Sequence, residues 1–181
     1  EPLPEFQTTE GRASLFDRHY FNGGQKVGGY AREGYWDYPT HEITAQHVLD
    51  RKPESVLELG CGRGYILKRL QDAGVNAHGM EISKHCYMTR VFDCVVTHDI
   101  CQIPWPSLYR GEGYKEDLCF SIATLEHIPE ECLPFVIQAM VQTSDRGLHG
   151  IDFGSHDDGF DRTHTTLKPK EWWIDLFEKH A

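Results

Sequence analysis

From about residue 40 onward, apolar and polar positions alternate between two periods. Short runs at Ser55–Leu59, Asn76–Glu81, Cys94–His98, Asp117–Ile122 and Leu148–Phe153 read as strands. The segments between them carry helical spacing. After the first run, Ile66, Leu67, Leu70 and Ala73 fall on one helical face while Lys68, Arg69 and Asp72 face away, and Gly74 supplies a C-terminal stop. Ahead of it, Ile43, Ala45, His47, Val48 and Leu49 suit a helix that ends before Pro53. Strand and helix in alternation predict an α/β fold: a doubly wound, mainly parallel sheet with helices on both faces. In such a sheet the ligand crevice lies at the carboxyl ends of the strands, so chemistry is expected just after each strand.

Residues 1–40 do not share the pattern. Gly23, Gly24, Gly28, Gly29 and Gly34 are mixed with Tyr20, Phe21, Tyr30, Tyr35, Trp36 and Tyr38, and little periodicity runs through them. A loop or flap is expected there rather than a regular element. Both a mobile tail and a lid whose aromatics close over a ligand fit, although disordered tails seldom hold so many aromatics. The expected division is therefore 1–40 as a glycine- and aromatic-rich segment and 41–181 as the ligand-binding domain.

With 181 residues the chain is long enough for one domain with a real core. Its net charge is −10, and no segment gathers Lys and Arg into a stripe. A nucleic-acid partner is disfavoured and a small-molecule one is not. The six cysteines form no CxxC pair, and several sit in apolar runs, which suits a reducing compartment. No apolar stretch approaches a membrane span and no signal peptide is visible, so a cytoplasmic protein is expected. The chain opens on Glu1 rather than Met, which leaves room for a start, and any targeting segment, ahead of it.

Three glycines in five positions, Gly60, Gly62 and Gly64, follow the first strand and precede its helix. Glycines there let a ligand approach the backbone beside a helix N-terminus. A dinucleotide loop wants GxGxxG, and here the sixth position is Tyr65. Glu58 sharpens the contrast, because a carboxylate beneath the loop would repel a pyrophosphate and attract a positively charged ligand. S-adenosylmethionine, with its sulfonium and ammonium, is such a ligand. Glu81 ends the second strand, where a carboxylate can accept both hydroxyls of a ribose, and Asp99 follows the third. Any one of these acids alone is more simply a solvated strand cap; three in succession beside the glycine loop point to a site.

These residues resemble the class I S-adenosylmethionine-dependent methyltransferases. Glu58-Leu59-Gly60-Cys61-Gly62-Arg63-Gly64 is similar to the family's first motif, Gly79-Met80-Glu81-Ile82-Ser83 to its acidic second-strand motif, and His98-Asp99-Ile100 to its adenine-contacting turn. Asp117 to Glu131, with its Leu-Glu-His-Ile signature, resembles the fourth-strand motif. More loosely, Gly28-Gly29-Tyr30 and the late Asp161, Thr163, His164, Trp172, Leu176 and Phe177 resemble a group of small bacterial-type methyltransferases associated with glycan or secondary-metabolite chemistry.

The resemblance implies a Rossmann-like fold and S-adenosylmethionine as cofactor, with S-adenosylhomocysteine as product. It implies that Glu58 holds the methionine ammonium through water, that Gly60 and Gly62 let the backbone approach the methionine part, that Glu81 binds the ribose hydroxyls, and that Cys61 and Ile82 also touch the cofactor. Asp99 and the backbone of Ile100 would meet the adenine, and Ser121 would line the methionine end. The family continues into two further strands where this chain reaches His180-Ala181, so a sheet lacking its last strands is expected.

Methyl transfer is an in-line displacement at an already activated carbon, so alignment and desolvation do most of the work. A hydroxyl acceptor would gain from a general base, and His127 and His164 both follow strands on the crevice side. A structural histidine near the cofactor is the plainer role for His127, and Asp161 is a candidate partner for His164. No metal site is expected: His149 with His156, Asp157 and Asp158, or His98 with Asp99 and Cys101, lack any known ligand spacing. The reading is a methyltransferase acting on oxygen or nitrogen of a small molecule, a sugar or secondary metabolite among the candidates. The alternatives are a non-catalytic protein that binds the same cofactor and, less favoured by Glu58 and Tyr65, an NAD-dependent oxidoreductase.

Overall fold

The five strand-like runs pair into one parallel sheet. The computed structural model of the chain describes residues 3–23, 29–30, 34–105, 114–154 and 161–181. In it, β1 (Ser55–Leu59), β2 (Asn76–Glu81), β3 (Val95–Thr97), β4 (Leu118–Ile122) and β5 (Gly147–Gly150) lie in the order β3-β2-β1-β4-β5. Every pairing is parallel, and the register sets Glu58 opposite Gly79 on β2 and Phe120 on β4. The strand order turns back beside β1, which opens the crevice between the carboxyl ends of β1 and β4. β3 and β5 are shorter than their sequence runs; β5 leaves the ladder at Gly150, before Ile151 and Phe153.

Seven α-helices are described: α1 (Thr9–Leu15), α2 (Arg18–Phe21), α3 (Pro39–Leu49), α4 (Tyr65–Asp72), α5 (Lys84–Met88), α6 (Leu133–Thr143) and α7 (Lys170–His180). One face of the sheet packs Val56, Ala77, Leu118 and Phe120 against Val48 of α3 and Ile66, Leu67 and Leu70 of α4. The other packs Leu57, Leu59, Met80 and Cys119 against Leu133, Val136 and Met140 of α6 and Trp173 of α7. Alternate strand residues thus feed two cores, and each large aliphatic side chain withdrawn from water contributes about 1.5–3 kcal/mol. Gly74 closes α4 as expected, with the Val75 N–H reaching back to the Leu70 carbonyl at 3.0 Å. No helix among the described residues is long and apolar enough to cross a membrane.

The N-terminal segment is more regular than its composition suggested. Pro4–Gln7 forms a 3-10 turn, and α1 and α2 follow it, each opened by a side-chain cap, Thr8 on the Gly11 N–H and Asp17 on the His19 and Tyr20 N–H groups. The helices are too short for a periodicity to show, and Gly11 sits inside α1, so the caps were the available signal. Gly24 and Gly28 fall outside the described residues.

Candidate functional site

The turn from β1 into α4 is held from below by β2. The Met80 carbonyl accepts from the Gly60 and Cys61 N–H groups at 2.8 and 3.2 Å, and Glu81 Oε2 accepts from the Gly62 N–H at 2.7 Å. Gly62 has φ +56°, and a Cβ there would meet the Tyr35 hydroxyl at 2.7 Å, so an aromatic ring takes the room the glycine leaves. The sixth position of the loop is Tyr65, and the close helix-to-strand approach is supplied from β2 instead. A Cβ on Gly79 would stand 2.6 Å from both Cys61 Sγ and Leu67 Cδ1.

Above this turn lies a cavity of about 400 Å³. Glu58, Gly60, Cys61, Gly62, Glu81, Ile82, Asp99 and Ile100 line it, together with His127 and His164. The structure therefore gathers ten of the eleven expected site residues. The eleventh, Ser121, is turned away. On β4 it shares a face with Cys119, is fully buried, and its Oγ lies 2.9 Å from His149 Nδ1, whose ring stacks on Phe177 of α7. Alternation along a strand forces this: Ile122, Ala123 and Thr124 line the cavity in its place.

Glu58 and Glu81 are both buried but differ in what they touch. Glu81 Oε1 accepts from the Ser83 N–H at 2.7 Å, so each of its oxygens holds a backbone donor. Burial still raises its carboxyl, against the pull of those N–H groups. Glu58 Oε2 is buried with no hydrogen-bond partner among the described residues. Burial, then the charge of Glu81, pushes the Glu58 carboxyl well above its ordinary value.

Asp99 is more committed than its position after β3 suggested. Its Oδ2 accepts from Arg12 Nε and a terminal guanidinium nitrogen at 3.0 and 2.6 Å and from Thr9 Oγ1 at 2.7 Å, while Oδ1 takes the Cys101 N–H at 3.0 Å. Burial opposes ionisation, and the Arg12 and Thr9 bonds overcome it, so its carboxyl lies below the usual range. The Ile100 carbonyl accepts from Trp105 Nε1 at 2.8 Å.

Phe16, Tyr20, Phe21, Tyr30, Tyr35 and Tyr38 form the outer wall of the cavity. Their segment is tied down by Arg12 on Asp99, by Ser83 Oγ on the Phe16 carbonyl at 2.6 Å, and by the Tyr20 hydroxyl on Asp161 Oδ2 at 2.9 Å. Burial raises the hydroxyls of Tyr20, Tyr30 and Tyr35, so all three stay protonated donors.

At the far end His127 and His164 meet edge to face with ring centroids 4.6 Å apart. Burial, then the neighbouring His164, lowers His127 to about 4. The expected Asp161–His164 contact is 3.9 Å, beyond hydrogen-bond length; Asp161 Oδ1 serves Thr163 instead, accepting its N–H at 2.9 Å and its hydroxyl at 2.5 Å. His98 Nε2 lies 3.1 Å from the Gln102 carbonyl. His156, Asp157 and Asp158 lie outside the described residues. Arg12 and Glu126 were given no site role from the sequence, because their partners stand far along the chain.

No known family matches the chain, and no curated protein does. Solved structures do. An S-adenosylmethionine-dependent methyltransferase from Archaeoglobus fulgidus is similar with a TM-score of 0.58 at 17% identity, over 78% of this chain and 68% of that one. A TehB-like S-adenosylmethionine-dependent methyltransferase from Corynebacterium glutamicum gives 0.57 at 16% identity, over 76% and 71%. The CcbJ methyltransferase from Streptomyces caelestis gives 0.54 at 17%, over 74% and 54%. The chain spans between 54% and 71% of the lengths of these three methyltransferases. Sheet order, glycine turn and these likenesses together give the chain the fold of the class I S-adenosylmethionine-dependent methyltransferases.

Proposed function

We propose that the protein is an S-adenosylmethionine-dependent methyltransferase acting on oxygen or nitrogen of a small molecule, with residues 41–181 as the binding domain and 1–40 as its lid. The observation that carries this reading is the buried carboxyl of Glu58 at the glycine turn, whose Oε2 has no hydrogen-bond partner among the described residues. A buried carboxyl without a donor is costly to ionise, and a cationic ligand beside it removes that cost. A pyrophosphate would meet repulsion there, which weighs against the nicotinamide reading.

The chain's groups fit the cofactor part by part. Glu58 faces the ammonium end, Gly60, Cys61 and Gly62 leave room beside the backbone, and Glu81 with Ile82 takes the ribose. Asp99 and Ile100 form the adenine end, with Oδ1 as the less crowded oxygen of Asp99. When bound, the sulfonium supplies a carbon activated for displacement. The lid aromatics exclude water from that carbon and hold the acceptor, and His127 and His164 are the polar groups at the acceptor end.

Calorimetry with S-adenosylhomocysteine tests the reading. Binding in the micromolar range is expected, and no heat at millimolar ligand rejects it. Binding without turnover of any acceptor in a broad panel of alcohols, sugars and amines would favour a non-catalytic cofactor-binding role.

A further inference from the structure

We propose that Glu126, His127 and His164 form a site for a divalent transition metal at the acceptor end of the cavity, where it would take a hydroxyl oxygen of the acceptor as a further ligand. The three side chains each offer one donor atom, and these atoms lie within 4.8 Å of one another. Ligands on bonds of about 2.0–2.2 Å stand roughly 3.0–3.5 Å apart, so small side-chain rotations bring the set together. Two imidazoles and one carboxylate suit zinc, cobalt or manganese and leave positions open for an outside oxygen.

Glu126 and His127 are each held by a neighbour that leaves one donor atom available. Glu126 is fully buried; its Oε1 accepts from the Asp152 N–H at 3.1 Å, and its Oε2 has no partner among the described residues. His127 Nδ1 lies 3.1 Å from the Thr163 carbonyl and 2.9 Å from Thr163 Oγ1. A carbonyl only accepts, and the hydroxyl spends its proton on Asp161 Oδ1. The ring proton therefore sits on Nδ1, and Nε2 keeps a lone pair, the arrangement in which metal-binding imidazoles are oriented by their far N–H. His164 is carried by a turn fastened to the same region, with the Thr166 N–H on the Glu126 carbonyl at 2.9 Å and Thr166 Oγ1 on the Ile128 carbonyl at 2.7 Å.

The consequence for chemistry rests on the methyltransferase reading; the metal site itself does not. A hydroxyl on a divalent cation gives up its proton far more readily than in water. Its oxygen lone pair forms the bond to the methyl carbon while the carbon–sulfur bond breaks, with that electron pair remaining on sulfur. The hydroxyl proton leaves to solvent, and the metal is neither oxidised nor reduced. The two histidines then serve as ligands and not as bases, and the acceptor class narrows to hydroxyl compounds.

The test is titration of the whole, chelator-treated chain with Co²⁺, read by visible absorption, and with Zn²⁺ by calorimetry, beside S-adenosylhomocysteine binding on the same samples. One site per chain is expected, weakened by at least about tenfold in both Glu126→Gln and His127→Ala. Should either variant fail to fold by circular dichroism, His164→Asn replaces it. Absence of a stoichiometric site in the wild type, or variants that bind as tightly as the wild type, overturns the proposal, the latter meaning that surface histidines alone hold the ion. S-adenosylhomocysteine binding without the metal site overturns only the metal; a metal site without S-adenosylhomocysteine binding overturns only the cofactor reading.

Discussion

Glu58 and Glu81 stand on neighbouring strands and face one cavity, yet only Glu81 has a backbone donor on each oxygen, while Glu58 Oε2 has none. Burial, then the charge of Glu81, holds the Glu58 carboxyl well above its ordinary 4.5. A carboxyl raised by folding lends stability that is complete below its unfolded value and is lost as pH climbs through the folded one. The ligand-free protein should therefore melt lower as pH rises from about 4.5, and Glu58→Gln should flatten that decline. Melting curves with the same slope for both proteins would refute the assignment.

Arg12 fastens the N-terminal segment, the proposed lid, to Asp99 through a buried ion pair. Removing one partner of such a pair leaves the other stranded, at about 3–5 kcal/mol. Arg12→Ala should release residues 3–23 without unfolding the sheet, seen as faster proteolysis and amide exchange confined to that segment. Because Asp99 is lowered by folding, docking of the lid is complete above its unfolded value and should weaken as pH falls through the folded one. Unchanged protection of the segment in the variant would show that the lid is held elsewhere.

Gly79 lets β2 lie against the glycine turn. A methyl there meets Cys61 and Leu67, so Gly79→Ala should cost about 1–3 kcal/mol by overpacking and shift the turn out of register with its ligand. The denaturation midpoint and S-adenosylhomocysteine affinity should fall together. A loss of stability with full affinity would separate the packing from the site.

Ser121 supplies the opposite contrast. Its hydroxyl serves His149 on the α7 side of the sheet. Ser121→Ala should lower stability by about 1 kcal/mol and leave cofactor affinity unchanged. A large drop in affinity would return Ser121 to the cavity wall.

Much of this was legible in the chain because it is local. The strand runs, the helix ended by Gly74, and the acids Glu58 and Glu81 at the ends of β1 and β2 and Asp99 after β3 all follow from short-range spacing, and the three acids line the cavity. What escaped was long-range or directional. Arg12 meets Asp99 across 87 residues, and Glu126 comes near His164 with α6 and β5 between them in the chain; no spacing rule joins either pair. Ser121 was misplaced because its position at a strand end fixes the neighbourhood, whereas alternation fixes the face. The short N-terminal helices rest on caps and on packing against the cavity, which glycine-rich composition conceals.

The central claim is that Glu58 is the counter-charge for a cationic ligand, and calorimetry of S-adenosylhomocysteine binding in two buffers of different ionisation enthalpy measures it most directly. The ligand's ammonium should draw a proton off the raised carboxyl, so the observed heat should depend on the buffer, affinity should rise with pH, and both effects should vanish in Glu58→Gln. Binding that releases no proton, or that is equally tight and equally pH-dependent in the variant, would contradict the account.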